Sequence, residues 1–385
     1  MIKRINMLRE FSMPLIAGVV LALCWANLSP ESYIHFNFTT LVGPLNFHFL
    51  SNELFMVFFF GIAAVEITQS CMPGGDLNPP RKAINPLLAT IGGVLGPVAV
   101  YLVLNSLIGA PELRNGWGIP TATDIALAWL AARIIFGANH PAISFLLLLA
   151  IADDAIGLVI IAIFYSDPSL PIAPVWLLLT SAGMMLAWLL RRLRVRNYWP
   201  YLIAGGVPSW IGLHNAHLHP ALALVFIVPF LPHPHRESKH LFEEDLRDVS
   251  TLAQFEHEWK VVVDFGLFTF GLANAGVEFS AVGPVTWLVL LSLLVGKTLG
   301  IFGFGWLGER LGFPLPTGMG TRHLAVAGLI AGIGFTVALF MAGEAFTDQA
   351  VQGAAKMGAI FSVFIAVPAF VIARLMGIGK GREQG

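Results

Sequence analysis

Asp153 and Asp154 stand side by side in PAISFLLLLAIADDAIGLVIIAIFY, residues 141–165, a stretch with no other charged residue. Its length suits a helix crossing a bilayer, for which about 20 apolar residues suffice. A carboxylate at bilayer depth costs on the order of 2.5–3.5 kcal/mol by insertion scales. Two in one helix mark a place where a proton or a cation is handled. Successive helical residues point about 100° apart. Both carboxylates can therefore border one cavity, or one can bind an ion while the other meets a neighbouring helix. A proton and a hard cation compete for the same oxygens in such a site.

Other chemistry-bearing residues fall at similar depth. In GWGIPTATDIALAWLAA, Gly116, Gly118 and Pro120 precede Thr123 and Asp124. Proline lacks a backbone donor and disfavours a helical residue before it, so a break is expected there. Broken backbone in a membrane must face protein or a water-filled cavity. HLAVAGLIAGIGFTVALFMAG carries Gly328, Gly332 and Gly334 before Thr336. Close helix packing explains glycines of this kind equally well. Position favours a break, because each segment is the middle of a three-span group. Paired interrupted helices in corresponding places point to an inverted-repeat transporter. The ends of broken helices carry about half a charge each, positive at N–H and negative at C=O. Asp124 can offset the positive ends. Lys297, in the centre of LLVGKTLGIFG, can offset the negative ends or pair with an aspartate, since a lone lysine at that depth is costly. A structural Lys–Asp pair without a transport role is the plainer alternative.

The elements that position these residues are all membrane helices. The chain is 56% hydrophobic and 12% charged with a mean hydropathy of +0.76, against about 25% charged in soluble domains. A net charge of −1 argues against a nucleic-acid partner. Hydropathy gives twelve spans, near 11–28, 53–70, 86–108, 117–136, 142–165, 173–190, 200–213, 219–231, 260–278, 285–307, 324–345 and 354–376. The expected fold is an all-α polytopic membrane protein, 1–385 as a single transporter domain. Spans 3–5 and 10–12 form the inverted repeats, and the two broken helices cross. The basic, then apolar, N-terminus is read as a retained first helix rather than a cleaved signal. Residues 29–51 alternate at period two around Gly43-Pro44 and read as an external β-hairpin. Residues 232–259 read as a cytoplasmic connection. With the N-terminus inside, nineteen of the 22 Lys and Arg lie on the inner side. That bias places both termini in the cytoplasm.

No phosphate-cradling loop appears, so ATP-driven pumping is disfavoured. Glu53 and Glu66 flank the second span, and either can be an ordinary interfacial carboxylate. Lys260 and Asp264 have helix-pair spacing. His214, His217 and His219 fit no zinc spacing. An intramembrane aspartyl protease would need its two carboxylates on facing helices, and no Gly-x-Gly-Asp segment is present. A passive cation channel is the other rival.

Taken together, NGWGIPTATDIAL, LLLLAIADDAIGLVIIAIFY, FGLANAGV, LLVGKTLGI and GLIAGIGFT resemble the NhaA-type sodium/proton antiporters, with weaker similarity along nearly the whole chain. The inverted-repeat architecture is therefore partly what this resemblance implies. The resemblance implies a secondary Na+(Li+)/H+ antiporter, not an enzyme and without a cofactor. It would exchange cytoplasmic sodium for external protons by alternating access, serving pH and sodium homeostasis in a bacterial inner membrane. It implies Na+ bound at Asp153 and Asp154, with Asp154 the essential ligand. Thr123, Asp124, Lys297, Gly332 and Gly334 would form the helix crossing. Glu66, Glu256, His257, His219 and Glu53 match positions tied to pH response, and the β-hairpin matches a homodimer contact. After Glu66 this chain has Ile67, Thr68, Gln69 and Ser70, where the family's best-studied pattern is charged. A shifted or shallower pH response is the expectation.

Overall fold

The computed structural model describes residues 13–41, 43, 45–72, 75, 80–108, 110–165, 172–233 and 250–378. Among them the chain is helical throughout, with no strand. In chain order the principal elements are α1 (Met13–Leu28), α2 (Pro30–Phe38), α3 (Phe47–Cys71), α4 (Pro80–Ile108), α5 (Pro111–Thr121), α6 (Ile125–Phe136) and α7 (Pro141–Phe164). They continue with α8 (Pro174–Arg192), α9 (Val207–Asn215), α10 (Thr251–Asn274), α11 (Pro284–Arg310), α12 (Thr321–Ala331), α13 (Phe335–Ala345) and α14 (Gln349–Leu375). Six of these are long and apolar enough to cross a membrane, namely α3, α4, α7, α8, α11 and α14. The pairs α5–α6 and α12–α13 bend by 57° and 46° and raise the number to eight if each is one span.

Three expectations change. By length and apolar composition six to eight of the described helices qualify as spans, so the count of twelve is not confirmed. Residues 219–231, expected as one span, hold only the short turns Pro220–Leu222 and Val228–Phe230, because prolines at 220 and 229 remove donors and interrupt any longer helix. Among the described residues of 29–51 there is no strand, so neither the β-hairpin nor a dimer contact through it is supported. Pro30 opens helix α2 instead, at the first helical position where its missing N–H costs nothing. The apparent two-residue period is outweighed by helical spacing, which puts Tyr33 and Asn37 together on the buried face. The Tyr33 hydroxyl meets the Leu272 and Ala273 carbonyls at 2.7 and 3.0 Å, capping the end of α10. An isolated two-stranded ribbon has no comparable anchor. Part of the expected 232–259 connection is also helix, since α10 begins at Thr251 with Ser250 accepting from Ala253 N at 3.1 Å. Residues 234–249 lie outside the described residues.

The three-span groups take the same order: a long helix, a broken pair, a long helix. Their long helices α4 and α11 touch backbone to backbone. A Cβ on Gly300 would lie 1.9 Å from the Gly92 carbonyl oxygen, so only glycine fits that crossing. Pro86 and Pro97 sit inside α4, and the Thr90 hydroxyl donates to the Pro86 carbonyl at 2.9 Å. In α11 the stretch Ser292–Lys297 is a π-turn, a local widening common at functional positions. It ends on Lys297.

Candidate cation and proton site

The linkers 122–124 and 332–334 of the two broken pairs meet at the centre of the molecule. The Asp124 amide donates to the Ile333 carbonyl at 2.7 Å. Asp124 caps α6, its Oδ1 accepting from Leu127 N at 3.0 Å. Its Oδ2 accepts from the backbone N–H of Thr336 at 3.2 Å and from the Thr336 hydroxyl. One carboxylate therefore faces the N-terminal ends of both α6 and α13, where the partial charge is positive. The opposite ends carry the opposite remedy. Lys297 Nζ donates to the Thr121 carbonyl, the last of α5, at 2.6 Å. The Thr123 hydroxyl lies 2.9 Å from the Ala331 carbonyl, the last of α12.

Asp153 joins the C-terminal side of this crossing. Its Oδ2 accepts from Lys297 Nζ at 2.8 Å and lies 2.8 Å from Thr123 Oγ1. A hydroxyl has one proton, so Thr123 donates to Asp153 or to Ala331 at any moment. Lys297 and Asp153 are fully enclosed, at 0% and 1% exposure. Asp153 Oδ1 has no hydrogen-bond partner.

Asp154 differs. No side chain among the described residues hydrogen-bonds its carboxylate, and its Oδ1 is buried without a partner. It lies instead on the wall of a cavity of about 680 Å³, which Thr123, Asp124, Thr336, Glu66, Lys260 and Asp264 also line. Asp153 and Lys297 are not part of that wall. The helical rotation between neighbours has turned one aspartate into the protein and the other into the cavity.

The crossing residues expected from sequence, Thr123, Asp124, Asp153, Lys297, Gly332 and Gly334, thus come together. The glycines serve close approach rather than unusual backbone angles. A Cβ at Gly332 would stand 2.7 Å from the Leu293 carbonyl oxygen, and one at Gly334 2.9 Å from Leu293 Cδ2. Gly334 N also donates to the buried Ser362 Oγ at 3.2 Å. Thr336 and Ser362 escaped the sequence reading as partners. Their only signal is a small hydroxyl residue in an apolar run, which is common in membrane helices.

The residues matched to pH response divide into two groups. Glu66 and Glu256 meet through Lys260, at 3.5 and 3.8 Å, and Gln69 Nε2 donates to Glu256 at 2.7 Å. Lys260 therefore reaches across to α3 as well as along its own helix. His257 is exposed. Glu53 and His219 lie apart from these, within 4.0 Å of each other. No group of three or more His, Cys, Asp or Glu among the described residues could hold a metal ion. Cys24 and Cys71 are both free.

The family model for Na+/H+ antiporter 1 matches residues 5–373. The Na+/H+ antiporter NhaA of Geotalea uraniireducens is 71% identical over 99% of this chain and 98% of its own. That of Geobacter sulfurreducens is 67% identical over 98% and 99%, and that of Jannaschia sp. 42% over 97% and 98%. The sodium proton antiporter MjNhaP1 of Methanocaldococcus jannaschii, at 15% identity, shares the fold with a TM-score of 0.54 over 96% of this chain and 100% of that one. By the family model and by these relatives alike, this chain belongs to the Na+/H+ antiporter 1 family.

Proposed function

We propose that this chain is a multi-pass membrane Na+/H+ antiporter in which Asp154 is the exchanging ligand and Asp153 its fixed neighbour. The observation that carries the site assignment is the partnerless Asp154 carboxylate on the cavity wall, one residue from an aspartate bound by Lys297 and Thr123. A proton or a desolvated Na+ or Li+ can take the same oxygens, and each must leave before the other binds. Obligatory exchange follows from that competition when the site faces one side at a time. Thr123 and Thr336 offer further oxygens beside the site.

The crossing supplies what such movement needs. Its four helix ends are neutralised by Asp124, Lys297 and the threonines, so two broken helices can shift without exposing uncompensated charge. The Lys and Arg bias supports cytoplasmic termini and an inner-membrane location, with the cavity mouth at Glu66 and Lys260 on the cytoplasmic side. Sodium leaves the cytoplasm and protons enter, which serves sodium and pH homeostasis. A channel would dissipate a gradient. An antiporter in sealed proteoliposomes instead drives Na+ uphill when a pH gradient is imposed. Sodium that only equilibrates under that gradient contradicts exchange.

A further inference from the structure

The crossing leaves Glu344 of the second broken pair unused. Glu344, at the far end of α13, places Oε2 3.4 Å from His219 Nε2, and Glu53 Oε1 lies 4.0 Å from the same nitrogen. His219 is 6% exposed. Its Nδ1 accepts from Ala221 N at 3.4 Å, which leaves the proton on Nε2, aimed at both carboxylates. That nitrogen makes no well-formed hydrogen bond, and Glu53 Oε2 is buried without a partner. Lys356 and His48 also act electrostatically on Glu344. Asn52 and Asn274 exchange two amide hydrogen bonds, at 3.2 and 2.7 Å, beside His48.

These groups come from two parts of the molecule. Glu344 and Lys356 belong to α13 and α14, the second half of a broken pair and the long helix after it. Glu53, His48 and Asn52 belong to α3 and its start, Asn274 to α10, and His219 precedes the Pro220–Leu222 turn. Just inside them the path is shut by rings. Phe340, one turn before Glu344, lies 4.9 Å from the His219 ring and 5.3 Å from Phe60. Phe60 and Asp154 share the lining of a pocket of only about 10 Å³. One side of Asp154 thus opens to a large cavity, while the other is closed by aromatic packing with a charged contact behind it.

We propose, resting on the antiporter reading, that the Glu344–His219 contact is a latch holding the outer side closed, and that it must part before Asp154 can face outward. The attraction acts across the plane along which α13 moves against α3. After separation His219 still faces Glu53, and Glu344 still lies in the field of Lys356, so neither carboxylate is left without a compensating group. Losing the latch removes stabilisation from the inward-facing state alone and moves the population outward.

The test reads that population. In a Cys24→Ser, Cys71→Ser background, Ala63→Cys places a thiol on the wall of the large cavity. Labelling by a membrane-impermeant maleimide from the cytoplasmic side measures inward opening. Glu344→Gln should slow labelling at least about threefold, His219→Gln should do the same, and the double variant should add little. If Glu344→Gln fails to fold, His219→Gln reads the same contact alone. Unchanged labelling in a folded variant overturns the latch. Wild-type exchange in the same preparation separates the two readings: absent exchange contradicts the antiporter, whereas present exchange with unchanged labelling contradicts only the latch.

Discussion

The helix crossing and the cavity mouth use the same side chains to different ends. At the crossing, Lys297 meets Asp153 at 2.8 Å with both fully enclosed. At the mouth, Lys260 meets Glu66 and Glu256 at 3.5 and 3.8 Å, and its side chain is 44% exposed. The first pair sits where water cannot replace a lost partner. The second can exchange its partners for water at little cost. Burial, not residue type, decides which lysine holds the fold and which only tunes the approach to the site.

Removing Lys297 should break that comparison most visibly. Lys297→Ala strands Asp153 and the Thr121 carbonyl, with an expected loss of about 3–5 kcal/mol. A thermal melt in detergent reads it, and adding Asp153→Asn should recover much of the loss. A melt unchanged by Lys297→Ala would refute the counter-charge role. Gly332→Ala comes next, at about 1–3 kcal/mol, because its methyl meets a carbonyl at 2.7 Å. Gly303→Ala, where a Cβ meets nothing within 4 Å, serves as the control and should be neutral or slightly stabilising. If both glycine variants melt alike, close packing at the crossing is not what requires Gly332.

Lys260→Ala should cost under about 1 kcal/mol and weaken further in effect as salt is raised. A loss as large as that of Lys297→Ala would erase the distinction between the two regions. The smallest effect is expected in the pH response. The uncharged Ile67, Thr68, Gln69 and Ser70 follow Glu66, so exchange measured over about pH 6 to 9 should change gradually rather than switch. A steep activation would show that other groups carry the response.

The crossing was legible because its cost is local. Acids and a lysine in apolar runs, with prolines and glycines beside them, stand out in any hydropathy reading. The division between Asp153 and Asp154 was less so, since one rotation along a helix decides which neighbour faces the cavity. Thr336 and Ser362 carry no signal until the chain is folded. The hairpin reading was misled because aromatic residues at alternate positions suit a strand as well as a helix face. Pro30 at the first helical position and the contact of Tyr33 with the end of α10, more than 200 positions away, favour the helix. Residues 219–231 misled for a related reason: their hydropathy suits a span, while Pro220 and Pro229 interrupt it.

The central claim is that Asp154 holds the exchanged ion while Asp153 belongs to the scaffold. Asp154→Asn in proteoliposomes tests it most directly, with sodium-driven proton movement as the readout and a melt as the control for folding. The expected result is a folded protein with no exchange at any sodium concentration. Sodium-driven proton flux close to that of the unaltered chain would contradict the assignment.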